Sequence, residues 1–308
     1  MRDVTRLAKF TTSDETIAKV TPDGRVTGLK RGQAAIMARF LEHVSARSFT
    51  FVKPVPGFKW NAPPPANFID THVQAKLREM QFLPSGPCTD GEFGRRVHLD
   101  VIGRLPTVNE TRLFLKDARA DKRARLINVL LASPEFAPFW AQKWGDLLRL
   151  TPERLTSGGA HKLNQWLIRA FRQNKPYDTF VQDLITASGS TLHNPPTNYY
   201  RAAADMGDAL ETTAQIFLGS RLACAKCHNH PFERWTQDHY YGLGAVFNRV
   251  ERQPGPRAGE LFITVARQGE VTQPRTGQIM QPWLPGKGFV ETPPGEDRRH
   301  VFARWLTA

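Results

Sequence analysis

The sequence predicts a multi-domain chain: a β-rich stretch over residues 1–53, then a mainly α-helical domain over 67–250 that gives way to a short β and irregular segment. Three observations predict it. Apolar residues alternate with period two around Ile36. Prolines then crowd between Pro54 and Pro65. From Asn67 onward, apolar residues recur at three- and four-residue spacing instead. The first period belongs to half-buried strands and the second to amphipathic helices.

With 308 residues and 40% hydrophobic residues, the chain has room for two domains of ordinary size and a real core. The net charge is +13. Such a balance invites a nucleic-acid reading, but the charges are scattered through amphipathic segments, with no compact Lys/Arg run interleaved with aromatics. A solvated surface, or one that steers an acidic partner, is the expected outcome, and nucleic acid is not an expected partner. No run approaches the roughly 20 apolar residues of a membrane-spanning helix, so no transmembrane segment is expected.

Ile36, Ala38 and Phe40 alternate as in a strand, and Val44, Ala46, Phe49 and Phe51 would form the last one. Pro22-Asp23-Gly24 and Lys30-Arg31-Gly32 supply turns. The stretch 54–66, with Pro54, Pro56, Pro63, Pro64 and Pro65, reads as an extended, semi-rigid linker. Asn67, with Asp70 three residues later, suits a helix start, and Ile69, Val73, Leu77 and Met80 continue it. Further helices are expected at about 107–117, 121–132, 134–150, 160–173, 177–187, 207–219 and 236–248. Thr107 with Glu110 forms a capping-box pattern, and Gly219 is a natural helix stop. Asp100 and Arg104 flank the turn Gly103-Arg104-Leu105-Pro106 and are read as fixing it. Phe136, Phe139, Trp140, Trp144, Leu147 and Leu148 form an apolar helical stripe, best taken as core. Residues 251–296 are rich in Pro and Gly with short β-like runs such as Leu261 to Val265. Residues 297–308 read as the start of another helical domain.

The chain has three cysteines, Cys88, Cys224 and Cys227, too few for a disulfide-stapled fold. Two of them lie in Cys224-Ala225-Lys226-Cys227-His228. This is the attachment signature of haem c: two thiols three positions apart reach the porphyrin vinyl groups from one side of a turn, and the adjacent His reaches the iron. Three other readings stay open. Cys224, Cys227, His228 and His230 could hold a structural zinc ion, a cramped set that would recruit His239 or Cys88. The pair could be a thiol–disulfide redox centre, although no βαβ context surrounds it. It could also be an ordinary disulfide. His239, Met206 and Met280 are candidates for a sixth iron ligand, whereas His230 lies too close in sequence to His228 to reach the far face of the ring. Phe232, Trp235, Tyr240 and Tyr241 could wall an apolar pocket or simply pack. Glu233 and Arg234 could meet propionates, or form a surface ion pair. No Walker loop, dinucleotide fingerprint or GxSxG elbow occurs.

Two stretches carry a resemblance. Asp3-Val4-Thr5, Ser13-Asp14, Ile17 to Val20, Asp23 to Gly28 and Gly32 to Ile36 resemble the group 2 bacterial Ig-like domain. Members of that family usually begin with two more strands, so the sequence is expected to start inside a domain, with an export signal upstream. The blocks Arg95 to Thr107, Leu130 to Phe136 with Trp140 and Trp144, Asn174 to Phe180, and Phe217-Leu218-Gly219 with Cys224 to Trp235 resemble the planctomycete cytochrome-linked domain of unknown function. His98 and Arg104 depart from that pattern, standing where a Tyr-like and an apolar residue are expected. The resemblance implies an exported protein, periplasmic or at the cell surface. It also implies a cytochrome context, with cytochrome c domains or redox proteins as partners, some within the same longer chain. The expected function is therefore haem-linked electron transfer or redox chemistry at the cell envelope, with Cys224 and Cys227 anchoring haem c and His228 ligating iron. The competing expectation is a non-catalytic surface module that binds polysaccharide or cell-surface protein, with zinc or a packed Cys/His cluster in its fold.

Overall fold

The computed structural model describes residues 3–41, 43–230, 233–293 and 295–308. Five strands come first: β1 (Lys9–Thr12), β2 (Ala18–Val20), β3 (Val26–Gly28), β4 (Gly32–Phe40) and β5 (His43–Phe51). A run of helices follows: α1 (Phe68–Glu79), α2 (Asp90–Ile102), α3 (Val108–Lys116), α4 (Lys122–Leu131), α5 (Phe136–Leu147), α6 (Pro152–Arg172) and α7 (Tyr177–Ile185). After the short strand β6 (Gly189–Ser190) come α8 (Asn198–Ala202), α9 (Met206–Phe217) and α10 (Gln237–Gly244). The chain ends in β7 (Val250–Pro254), β8 (Leu261–Val265), β9 (Val271–Thr272), β10 (Ile279–Met280), β11 (Trp283–Leu284), β12 (Gly288–Phe289) and α11 (Arg298–Leu306). Strands in small sheets, a mainly helical middle and a closing strand-and-helix segment make up the architecture.

The backbone divides into two units. One comprises the residues up to Pro87 together with Ala223–Gln237; the other is Cys88–Leu222 with Asp238–Ala308. In the first unit, β1, β4 and β5 form an antiparallel sheet, with Ile36 opposite both Thr12 and Arg47. The hairpin β2–β3 turns through Pro22-Asp23-Gly24, where Gly24 takes φ +83°. A side chain disfavours that left-handed backbone, so the turn calls for glycine. Ala18, Ala34 and Ile36 form the buried core, with Ile17, Val20, Val26 and Phe51 against it. The prolines leave the linker without regular structure, yet it is tethered. Val55 N–H donates to Gln81 Oε1 (2.6 Å) and Gln74 Nε2 donates to the Pro63 carbonyl (2.9 Å). Helix α1 starts where the sequence indicates: Asn67 Oδ1 accepts from Ile69 and Asp70 N–H. It is joined to the strands by Lys76 Nζ to Thr50 Oγ1 (2.6 Å) and by Arg31, which donates to the Gln81 carbonyl (2.9 Å) and covers the Phe82 ring at 3.8 Å.

In the second unit, side chains set the starts of α2 and α3. Thr89 with Glu92 and Thr107 with Glu110 both close complete capping boxes. Helix α2 ends at Gly103, φ +75°, where a Cβ would stand 2.2 Å from Phe139 Cδ2. The following turn is pinned by Arg104, which donates to both Glu110 oxygens (2.9 Å each), to Glu135 (2.9 and 3.1 Å) and to the Leu105 carbonyl (3.0 Å). Asp100 is exposed and takes no part in these bonds. Val97, Ile102 and Leu130 form the core between α2 and α4. Most of the α5 stripe packs as expected: Trp140 Nε1 donates to the Val101 carbonyl (3.2 Å), Trp144 meets Phe180 edge to face at 4.8 Å, and Leu148 is buried. Leu147 instead faces out, 51% exposed.

Helix α6 differs from the expected 160–173 because it is two helices joined at Thr156, whose φ/ψ of +62°/160° is not helical. Thr156 Oγ1 accepts from Gly159 N–H (3.3 Å) and so starts the second stretch. Close packing follows at once. A Cβ on Gly159 would lie 2.6 Å from Oδ1 of Asn198, a fully buried side chain whose Nδ2 donates to the Thr191 and Pro195 carbonyls (2.7 and 3.0 Å). At Gly158 the nearest atom, Leu192 Cδ2, stands 3.5 Å from such a Cβ. The last helix, α11, is held by Arg299, which is fully buried, and by Phe302, which meets Phe247 edge to face at 5.5 Å.

Two outcomes follow from these contacts. Gly159→Ala should destabilise the chain by about 1–3 kcal/mol, because the pinned Asn198 cannot move away. Gly158→Ala, helical and exposed, should stabilise by about 0.5–1 kcal/mol; urea unfolding of the two variants measures both signs. The Arg104 guanidinium, followed by the Thr107 N–H, holds the Glu110 carboxyl down at about 2. A carboxyl depressed on folding stabilises the protein above its ordinary range, and that contribution is lost as pH falls toward about 2. Glu110→Gln should therefore lower the urea midpoint at pH 6, with the gap to wild type closing as the pH approaches 2.

Candidate functional site

Helix α9 delivers the chain to the CxxCH segment. It stops at Leu218, one residue before the predicted glycine. Gly219 turns left-handed at φ +61°, and Ser220 N–H returns to the Ala214 carbonyl (3.1 Å). Ala223–Lys226 then makes one 3-10 turn. Cys224 lies within this turn and Cys227 directly follows it. Both cysteines are exposed free thiols, while Ala225 between them is fully buried and roots the turn. His228 N–H reaches the Cys224 carbonyl at 3.4 Å. The exposed His228 ring sets Nδ1 2.8 Å from the Asn229 carbonyl. A carbonyl only accepts, so Nδ1 carries the hydrogen and Nε2 keeps the lone pair.

His230 has a different role. It is buried, its N–H donates to the Trp235 carbonyl (2.7 Å), and its Nδ1 accepts from Glu233 N–H (3.0 Å). The ring nitrogen that faces the backbone is thus engaged in closing the loop. Gln237 adds two braces: its N–H donates to Asn229 Oδ1 (3.1 Å) and its Nε2 to the Lys226 carbonyl (3.0 Å). Asn229 thereby orients His228 with its carbonyl and holds the returning chain with its side chain. The sequence reading passed over Asn229; its position directly after the motif's histidine was the available signal. Glu233 accepts from Trp235 Nε1 (2.5 Å), and Arg234 lies over the Trp235 ring at 5.4 Å. These two contacts, rather than an ion pair between Glu233 and Arg234, are what the side chains make. Pro231 and Phe232 lie outside the described residues.

The other expected site residues belong to the second unit. His239 on α10 stacks on Trp283 with ring centroids 4.1 Å apart. Met280 is buried beside Ala245 and Val271, with Met206 and Tyr241 packed against them. Tyr240 is buried and donates to Glu211 Oε1 (2.8 Å). Cys88 is half-buried, and its carbonyl accepts from Arg123 Nη2 (2.8 Å). Among the described residues, no three His, Cys, Asp or Glu side chains converge as a metal-ligand group.

The residues at 224–228 meet the local demands of haem c. Two free thiols three positions apart are exposed. The adjacent histidine has its Nδ1–H fixed by a carbonyl, the arrangement that aims Nε2 at a metal. Chemically, the segment can form two thioethers and one nitrogen–metal bond.

Comparison with known proteins gives one match. The family model described as PSCyt2, protein of unknown function (DUF1549), matches residues 68–252. No curated protein and no solved structure matches. The matched span runs from the first helix to the strand after α10 and includes the whole CxxCH loop. Covering well over half of the 308 residues, it shows that the chain belongs to the PSCyt2 family of unknown function.

Proposed function

We propose that the chain carries haem c on Cys224 and Cys227, with His228 as the proximal iron ligand, and serves electron transfer or redox chemistry outside the cytoplasm. The single observation that carries this reading is His228. Its Nδ1 is committed to the Asn229 carbonyl at 2.8 Å, which leaves Nε2 free to ligate, directly beside two exposed thiols. Each thiol would add its S–H across a porphyrin vinyl group, forming one C–S bond with the proton delivered to the vinyl carbon. The bound group would supply a one-electron iron couple, tuned by its axial ligands and exposure. The protein's own contribution is to hold the ring orientation of His228, through Asn229 and the Gln237 braces. The natural electron partners are other cytochrome c domains or redox proteins. The N-terminal strands are read as belonging to a group 2 Ig-like domain, a reading supported by the Ala18, Ala34 and Ile36 core.

A second reading, a surface-binding module, is favoured by His230. Its burial and loop-closing bonds support a reading in which part of the Cys/His cluster serves the fold. In that reading the thiols complete a structural zinc site or remain free, and the strands contact polysaccharide or protein.

The test is an absorption spectrum of the whole chain, exported to a bacterial periplasm together with a c-type haem attachment system. Acid–acetone extraction precedes treatment with alkaline pyridine and dithionite. A reduced haemochrome that survives extraction, at one haem per chain, is the expected result, and Cys224→Ala with Cys227→Ala should abolish it. A colourless protein, or one carrying only zinc, overturns the haem assignment and leaves the surface module standing.

A further inference from the structure

A hollow lies between α2 and α3, far along the sequence from the cysteines. Its volume is about 290 Å³. For scale, about 150 Å³ accommodates benzene in an apolar protein cavity. Phe114, Leu105, Pro106 and Leu115 give it apolar walls, and Gly91 and Gly94 form the floor along one face of α2. These glycines precede His98 by seven and four residues, so all three share a helix face. At Gly91 the helix leaves open space, since a Cβ there meets nothing within 4 Å, whereas at Gly94 the Phe114 ring would lie 3.3 Å from such a Cβ.

His98 borders this hollow and is 2% exposed. Its Nδ1 lies 2.8 Å from the Gly94 carbonyl, which makes Nδ1 the donor and Nε2 the acceptor. Nε2 has no hydrogen-bond partner among the described residues, and it is not one of the atoms sealed off from solvent. An unpaired ring acceptor that opens onto a hollow can take a hydrogen bond from a donor that occupies it.

The charges around the hollow are settled in a way that leaves one sign over. Asp90 pairs with Lys122 (2.6 Å) and Arg123 (2.7 Å). Glu110 pairs with Arg104 (2.9 Å). Arg95, exposed at the rim, makes no ion pair among the described residues. An occupant that suits the site therefore has a ring for the apolar walls, a hydroxyl donor for His98 Nε2, and an anionic group for Arg95.

The geometry points to a binding site for a small hydroxylated aromatic acid between α2 and α3, its hydroxyl donating to His98 Nε2 and its carboxylate pairing with Arg95. The probe is 4-hydroxybenzoate, titrated into the whole chain by calorimetry and followed by ligand-observed NMR. Saturable binding is expected. Benzoate, which lacks the donor, should bind roughly five- to tenfold more weakly. Arg95→Ala should weaken 4-hydroxybenzoate about two- to fivefold while leaving phenol unchanged. Gly91→Leu, which fills open space at an exposed position, should abolish binding without changing the circular dichroism spectrum. Failure of 4-hydroxybenzoate to saturate at millimolar concentration overturns the proposal. So does equal affinity for benzoate, or binding that survives both Gly91→Leu and Arg95→Ala. None of these readouts involves the cysteines, so the site stands or falls apart from the haem assignment.

Discussion

A guanidinium with no exposed surface governs how the second unit closes. Arg299 donates to both oxygens of Asp297, to the Ala187 carbonyl (2.8 Å) and to Ser188 Oγ (2.7 Å), and it lies over the Tyr200 ring at 5.0 Å. A buried charge is tolerable only when it is both paired and fully hydrogen-bonded. That requirement fixes several things at once. The chain must leave α7 with a carbonyl turned inward, α8 must present an aromatic face, and α11 must begin at Asp297. Burial also pushes the Tyr200 phenol up to about 12, so it stays neutral, donating to the Ile185 carbonyl. The last helix is thereby built into the same core as the middle ones.

The elements that could be read from the sequence are those whose signals are local. Asn67, Thr107 and Gly219 act within a few residues of themselves, and the helices near them fall close to where the pattern puts them. The strand Leu261–Val265 was legible for the same reason. Helix α2 is visible in the sequence only as part of the block Arg95 to Thr107 that resembles the family, although Thr89 and Glu92 spell a capping box; two glycines and two adjacent arginines blunt its apolar stripe. The break in α6 was not legible at all. A β-branched residue with φ +62° is held by tertiary contacts, among them the approach of Asn198 to Gly159 and of Gly259 to Thr156.

The same division runs through the sites. Cys224, Cys227 and His228 form a contiguous motif, and one turn of backbone suffices to present them, so spacing alone could find them. The separate task of His230 could not be read from spacing, because it depends on a bond to Glu233 and on the return of the chain at Trp235. The hollow beside His98 was invisible in another sense. Its recognition properties come from which neighbours are already satisfied, with Asp90 and Glu110 spent on basic partners and Arg95 left over.

Ala225 gives the CxxCH pattern a constraint that its notation hides. The two intervening positions are written as interchangeable, yet here Lys226 is exposed and Ala225 is fully buried. The methyl group is the foot on which the turn stands, and both cysteines of the motif are exposed. A larger side chain at that position has no open space to enter, so the turn would have to shift. Reading the motif in other sequences should therefore weigh its first variable position by size as well as its cysteines by spacing.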